Sequence, residues 1–185
     1  MSVKKDTEIK SIVVTAFFAA LIFLGIQLFR VPMPAAVGTP FVHFGHIFVV
    51  LAILLLGIKR SMAAGVIGFL LFDIVNGYVH AIPNVLFSMI AECLIVGWIF
   101  GKMKQKKEKD YGAALISGII YGILNIVIDF IWSAGLLIIA GSTLSAAVAA
   151  ELTAIPSTII NSVFTVIGTA VLYVPVKSAF RRAAG

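Results

Sequence analysis

Charged residues and cysteine are scarce in this chain. Asp, Glu, Lys and Arg make up only 12% of its 185 residues, against roughly a quarter in soluble domains. The single cysteine, Cys93, sits within an apolar run, which excludes an intramolecular disulfide and a thiolate metal cluster built within one chain. There is no Gly-x-x-x-x-Gly-Lys-Ser/Thr phosphate loop, so the chain supplies no ATPase of that type. The basic clusters lack interleaved aromatics for base stacking, and nucleic acid is excluded as a partner.

Apolar residues are abundant: 61% of the chain, with a mean hydropathy of +1.13. That composition predicts an all-α integral membrane protein. Apolar runs near 9–29, 42–58, 62–78, 82–100, 113–140 and 144–176 approach or exceed the roughly 20 residues that a helix needs to cross a bilayer. They predict one domain over 1–185, a compact bundle of six transmembrane helices without a separate soluble domain. The first run follows Lys4 and Lys5 but is longer than the 7–15 residues or so of a signal-peptide core, so it is read as a retained helix. The last two runs exceed the length required, and Gly135, Gly141 and Ser142 are read as interruptions that turn part of each into outer loop structure. Gly57 ends the second run, and Lys59-Arg60 makes a tight basic connection to the third.

Basic residues set the orientation. Lys4, Lys5 and Lys10 stand before or at the start of the first run; Lys59 and Arg60 join the second to the third; Lys102, Lys104, Lys106, Lys107 and Lys109 join the fourth to the fifth; Lys177, Arg181 and Arg182 end the chain. Thirteen of the 14 Lys and Arg therefore share one side, with only Arg30 opposite. The positive-inside rule places both termini in the cytoplasm. The clusters are membrane flanks, and those near 102–109 also suit contact with anionic lipid heads.

Four acids, Asp73, Glu92, Asp129 and Glu151, lie within or at the ends of these runs, where a charge at the bilayer centre costs about 2.5–3.5 kcal/mol. Apart from Lys10 at the very start of the first run, no Lys or Arg lies inside a run to offset them, so each carboxylate is neutral, hydrated, paired with His or amides, or poised for a ligand. Asn84, Ser88 and Glu92 recur at i, i+4 and i+8, and Asn125, Asp129 and Trp132 at i, i+4 and i+7, so each set shares a helix face. The sixth run adds Glu151, Thr158 and Asn161; the third ends with Asp73 and Asn76; the second begins with His43 and His46. On the predicted topology nearly all of these fall in the outer half, forming a ligand cavity open outward and closed inward.

Each residue has a plainer reading. Lone Asn, Ser or Thr residues in membrane helices commonly serve as interhelical bonds. Glu92 and Asp129 lie deepest and are read as functional, whereas Asp73 and Glu151 near helix ends also read as hydrated caps. His43 and His46 lack a third ligand, so no metal is expected. Trp132 reads either as an interfacial anchor or, beside Asp129, as a stacking platform, and Trp98 as an anchor. The segment 30–41 carries three prolines and is stiff enough to cover a cavity mouth as a lid. In the first run Ala16 and Ala20, with Ser11, Thr15 and Ala19, make a small-residue surface that lets another helix approach closely.

A short chain of six helices, with an Ala-xxx-Ala patch on the first and a polar cavity in the outer half, resembles the substrate-binding S components of energy-coupling factor vitamin transporters. The likeness runs through Phe41-Val-His-Phe-Gly-His46, Leu54-Leu55-Leu56-Gly57, Ala64-Gly65-Val-Ile-Gly68, Asp73-Ile-Val-Asn-Gly77-Tyr78 and Ala81-Ile-Pro-Asn84 to Glu92, and is nearest the branch that includes riboflavin, pyridoxine and hydroxymethylpyrimidine S components. The resemblance implies a binding subunit in the bacterial cytoplasmic membrane, without a cofactor and not itself an enzyme. It would hand a vitamin to a transmembrane coupling subunit driven by two cytoplasmic ATPases, with Ala16 and Ala20 as the docking patch.

Several acids and no base in the outer half disfavour an anionic vitamin and suit a neutral or cationic hydrogen-bond donor. Vitamin B6 is expected first, as pyridoxine, pyridoxal or pyridoxamine, with hydroxymethylpyrimidine, thiamine or riboflavin behind it. The ligand-binding set expected is His43, His46, Asn84, Ser88, Glu92, Asn125, Asp129, Trp132, Glu151, Thr158 and Asn161. Competing readings are a secondary carrier with Glu92 or Asp129 as proton relay, a small intramembrane enzyme around His43, His46 and Asp73, and a structural membrane subunit.

Overall fold

Six α-helices carry the fold among the described residues, which are 2–105 and 109–184 of a computed structural model, with side chains described from residue 8 to 182. Lys106 and Lys107, and the side chains of Lys4 and Lys5, lie outside them. The order is α1 (Ser2–Gln27), β1 (Val31–Pro32), β2 (Phe41–Val42), α2 (Gly45–Leu56), α3 (Ile58–Asn76), a 3-10 turn (Val79–Ala81), α4 (Ile82–Gln105), α5 (Asp110–Ile139) and α6 (Leu144–Ala184).

Four segments, Glu8–Gln27, Val79–Gln105, Asp110–Ile139 and Leu144–Arg182, are long and apolar enough to cross a membrane. Their outer faces bear large apolar side chains, such as Phe17 (60% exposed), Ile131 (65%) and Val171 (63%), as suits contact with lipid tails. The second run departs from the expected span over 42–58. Its first residues belong to β2 and a short link, so α2 has only 12 residues and rises about 18 Å. Nine of those 12 are buried, and α2 packs against all five other helices. A helix apolar all round is the one that fits the middle of a bundle.

The last two runs are corrected as well. Gly135 lies inside α5, and α6 is unbroken from Leu144 to Ala184 through Pro156 and Pro175. Only the short link 140–143 turns the chain, with Gly141 at φ 98°. Glycine and proline are tolerated inside membrane helices because neighbouring groups re-satisfy the freed backbone. Gly57, at φ 78°, is a one-residue break, and Lys59-Arg60 forms the first turn of α3 instead of a loop. The basic flanks extend α1, α4 and α6 beyond the apolar runs, so α4 reaches Gln105 and α6 reaches Ala184.

Small residues set the helix spacing. A methyl group added at Gly68 of α3 would lie 2.8 Å from the Ala19 backbone oxygen of α1, and one at Gly118 of α5 would lie 3.1 Å from the Val166 Cα of α6. The small-residue surface expected on α1 is thereby divided: Ala19 is buried toward α3, while Ala16 and Ala20 stay exposed. At one end of the bundle Asp110 at the start of α5 pairs with Lys104 of α4 and Lys177 of α6. The polar cavity lies toward the opposite ends of these helices.

Candidate functional site

A cavity of about 520 Å³ opens between the 37–41 segment, α5 and α6. Its walls include His43, His46, Asn125, Asp129, Glu151, Thr158 and Asn161. A side chamber of about 180 Å³, bounded by α3 and α4, shares His43, His46, Asn125 and Asp129 with the larger space and adds Asp73, Asn84 and Ser88. Ten of the residues singled out from sequence thus line these two adjoining spaces.

Two amide–carboxylate bonds cross between α4 and α5. Asn84 Nδ2 donates to Asp129 Oδ1 at 2.9 Å, and Asn125 Nδ2 donates to Glu92 Oε1 at 3.1 Å. The stripe on each helix makes this possible, since residues four apart stand above one another on the same face. Asp129 also interacts with Thr158 of α6. Glu92 is fully buried and lines neither cavity, lying behind Asn125.

Tyr121, which the sequence reading passed over, completes the arrangement. Its hydroxyl lies 2.8 Å from His46 Nδ1, and its side chain also interacts with Glu92. Tyr121, Asn125 and Asp129 stand at i, i+4 and i+8 on α5, so extending the stripe by one turn would have found it. His43 stacks on His46 with ring centroids 4.7 Å apart, and His43 Nδ1 accepts from the Gly45 N–H at 3.1 Å. That bond leaves the proton of a neutral ring on Nε2.

Asn161 acts as a clasp on the segment above the cavity. Its Oδ1 accepts from the His43 N–H at 2.8 Å, and its Nδ2 donates to the Phe41 carbonyl at 3.0 Å. The 30–41 segment is not a plain loop: β1 and β2 pair antiparallel, Met33 N–H donates to the Pro40 carbonyl at 2.9 Å, and Ala36 N–H donates to Thr153 Oγ1 of α6 at 2.8 Å. Val37, Gly38, Thr39, Pro40 and Phe41 face the larger cavity.

Two residues take other places. Trp132 stacks on Phe87 of α4 at 5.8 Å and lines neither cavity; at i+3 from Asp129 it is turned about 60° from the lining face, by helix geometry of 3.6 residues per turn. Trp98 is exposed, with Lys102 Nζ over its ring at 5.7 Å. Asp73, also read as a hydrated cap, is buried. Asn76 bonds to Gln27 Oε1 at 2.8 Å and accepts from Arg30 at 3.3 Å.

Comparison with curated proteins and with solved structures finds no match for this chain. A family model described as ECF-type riboflavin transporter, S component, does match, over residues 6–178. With nearly its whole length covered, the chain belongs to that family of substrate-binding transporter subunits, which are membrane proteins and not enzymes.

Proposed function

We propose that this S component takes up a flavin, with riboflavin its first ligand. The observation that carries the reading is the size and continuity of the space: about 520 Å³, joined to a further chamber of about 180 Å³, within the range of roughly 300–1,000 Å³ usual for drug-sized ligands. A three-ring heterocycle with a side arm suits that space, and the family description names riboflavin. Vitamin B6, favoured by the acid-rich walls, is the second reading; a single pyridine ring would use a fraction of the volume. Asn125, Asp129, Thr158 and Asn161 would supply the polar contacts, with Glu92 acting through Asn125. Phe41 and Tyr78 would supply ring contacts.

In this reading all six helices lie within the bilayer as one domain, both termini are cytoplasmic, the cavity faces outward, and the 37–41 segment is its cover. Ala16 and Ala20, exposed beside Ile12 (67% exposed) and Phe17, form the face against which a transmembrane coupling subunit packs, with two ATPases beyond it. Small residues flanked by large ones let a partner helix come close.

Titration of the detergent-purified chain with riboflavin and with pyridoxine, read by flavin fluorescence and by calorimetry, tests this. Saturable one-to-one riboflavin binding with no heat from pyridoxine is expected. Pyridoxine binding without riboflavin binding would overturn the flavin reading in favour of vitamin B6.

A further inference from the structure

The side chamber holds two acceptors for which the protein supplies no donor. Asp73 is only 4% exposed, and its Oδ2 has no hydrogen-bond partner among the described residues. Asn84 spends its Nδ2 on Asp129, and that bond fixes the amide orientation, leaving a buried Oδ1 equally unmatched. Both residues line the chamber, Asp73 from α3 and Asn84 from α4. The Gly77 turn, at φ 79°, brings the two helices together there.

Arg30 does not answer Asp73. The Arg30 guanidinium lies over the Phe41 and Phe72 rings, 5.8 and 5.5 Å from their centroids, and bonds to Asn76; the ion pairs among the described residues both belong to Asp110. The chamber wall also carries His43, His46, Ser88, Asn125 and Asp129, none of which bonds to Asp73 Oδ2 or Asn84 Oδ1; its other residues, including Phe69, Phe72, Tyr78 and Met89, are apolar or aromatic. Two buried acceptors in such a setting favour a donor brought by the ligand, because a buried polar group left unmatched costs far more than a bond gained in water.

We propose that the side chamber is a second subsite, which takes a hydroxyl-bearing arm of the ligand while the ring system occupies the larger cavity. Asp73 and Asn84 are then specificity-determining residues that select for the arm. Hydroxyl groups suit the place because each donates to an acceptor there, and a bond to a carboxylate is among the stronger kinds. The inference rests on the flavin reading above, since riboflavin joins a ring system to a chain of hydroxyls.

The test compares riboflavin with lumiflavin, which has the same ring system and a methyl group in place of the hydroxylated chain. The full chain binds riboflavin tighter by about 100-fold or more, as sites built around a ligand hydroxyl reject analogues lacking it. Asp73→Asn shrinks that preference to about tenfold or less. Ala81→Leu, which adds bulk at the chamber wall and replaces neither acceptor, is expected to shrink it similarly and stands in should Asp73→Asn fail to fold. Equal affinity of the wild-type chain for the two flavins, or a preference that survives in a folded variant, overturns the inference and leaves the flavin reading intact. If neither flavin binds the wild-type chain, that reading fails and takes the inference with it.

Discussion

The side-chain amide of Asn84 on α4 donates to the Asp129 carboxylate on α5 at 2.9 Å, and deeper in the bundle the donor and acceptor helices exchange roles in the bond from Asn125 to Glu92. Each helix contributes one amide and one acid, so neither rung sets carboxylate against carboxylate. Asn84→Asp should break that rule and destabilise the chain by about 1–3 kcal/mol, by leaving a polar pair mismatched. Adding Asp129→Asn should restore most of the loss, giving a coupling above about 0.5 kcal/mol in a double-mutant cycle. Denaturant melts of the four proteins in one detergent would measure it, and strictly additive losses would sink the idea.

The two acids should differ in what they do for a ligand. Asp129 lines the cavity, whereas Glu92 stands behind Asn125. Asp129→Asn is therefore expected to weaken riboflavin binding by about tenfold or more, and Glu92→Gln by less than about tenfold, as one direct and one indirect hydrogen bond would. Fluorescence titration ranks them, and unchanged affinity in both would remove these residues from the site.

Tyr121→Phe keeps the ring and deletes the hydroxyl that lies 2.8 Å from His46. A loss of about 0.5–1.5 kcal/mol in stability is expected, the usual value of one hydrogen bond. A melt that does not move would mean that the hydroxyl's contacts with His46 and Glu92 add no net stability.

Two glycines offer a matched comparison for packing. Gly68→Ala would place a carbon 2.8 Å from a backbone oxygen of α1, and such overpacking costs about 1–3 kcal/mol. Gly101→Ala on α4 meets nothing within 4 Å and should be neutral or stabilising by up to about 1 kcal/mol through helix propensity. Thermal unfolding of the pair in detergent separates tight approach from mere residue type.

Docking should be separable from binding. Ala16→Trp and Ala20→Trp put bulk on an exposed face of α1 remote from the cavity lining, so riboflavin affinity should stay within about twofold, as for other surface changes. Uptake into cells that also carry the coupling subunit and ATPases should fall by an order of magnitude or more if close helix approach is required. Normal uptake by both variants would move the docking face elsewhere.

The sequence carried the helical class, the six helices and the polar residues that converge, because period and hydropathy are local properties. It was weakest where a tertiary arrangement decides. Run 42–58 is apolar enough for a span, yet α2 starts only at Gly45, since His43 and Phe41 are held in place by Asn161, 118 and 120 residues away. Gly135 reads as an interruption but lies inside α5, and Pro156 is likewise accommodated within α6, for in a membrane bundle neighbouring groups make good the backbone bonds that water would otherwise compete for. Asp73 sits close to a helix end by sequence and is buried by the turn that follows. Trp132 shares a nominal face with Asp129, but a 60° offset suffices to exchange the cavity for Phe87.

The hairpin over the cavity is fastened unequally. Its base is held by strand pairing and by both polar atoms of the Asn161 amide, while its tip is joined to α6 through the single bond from Ala36 to Thr153, which is exposed. The tip is thus held to α6 by fewer hydrogen bonds than the base among the described residues. If, as proposed, a ligand enters beneath this hairpin, variants of the cavity walls should change dissociation rates far more than association rates.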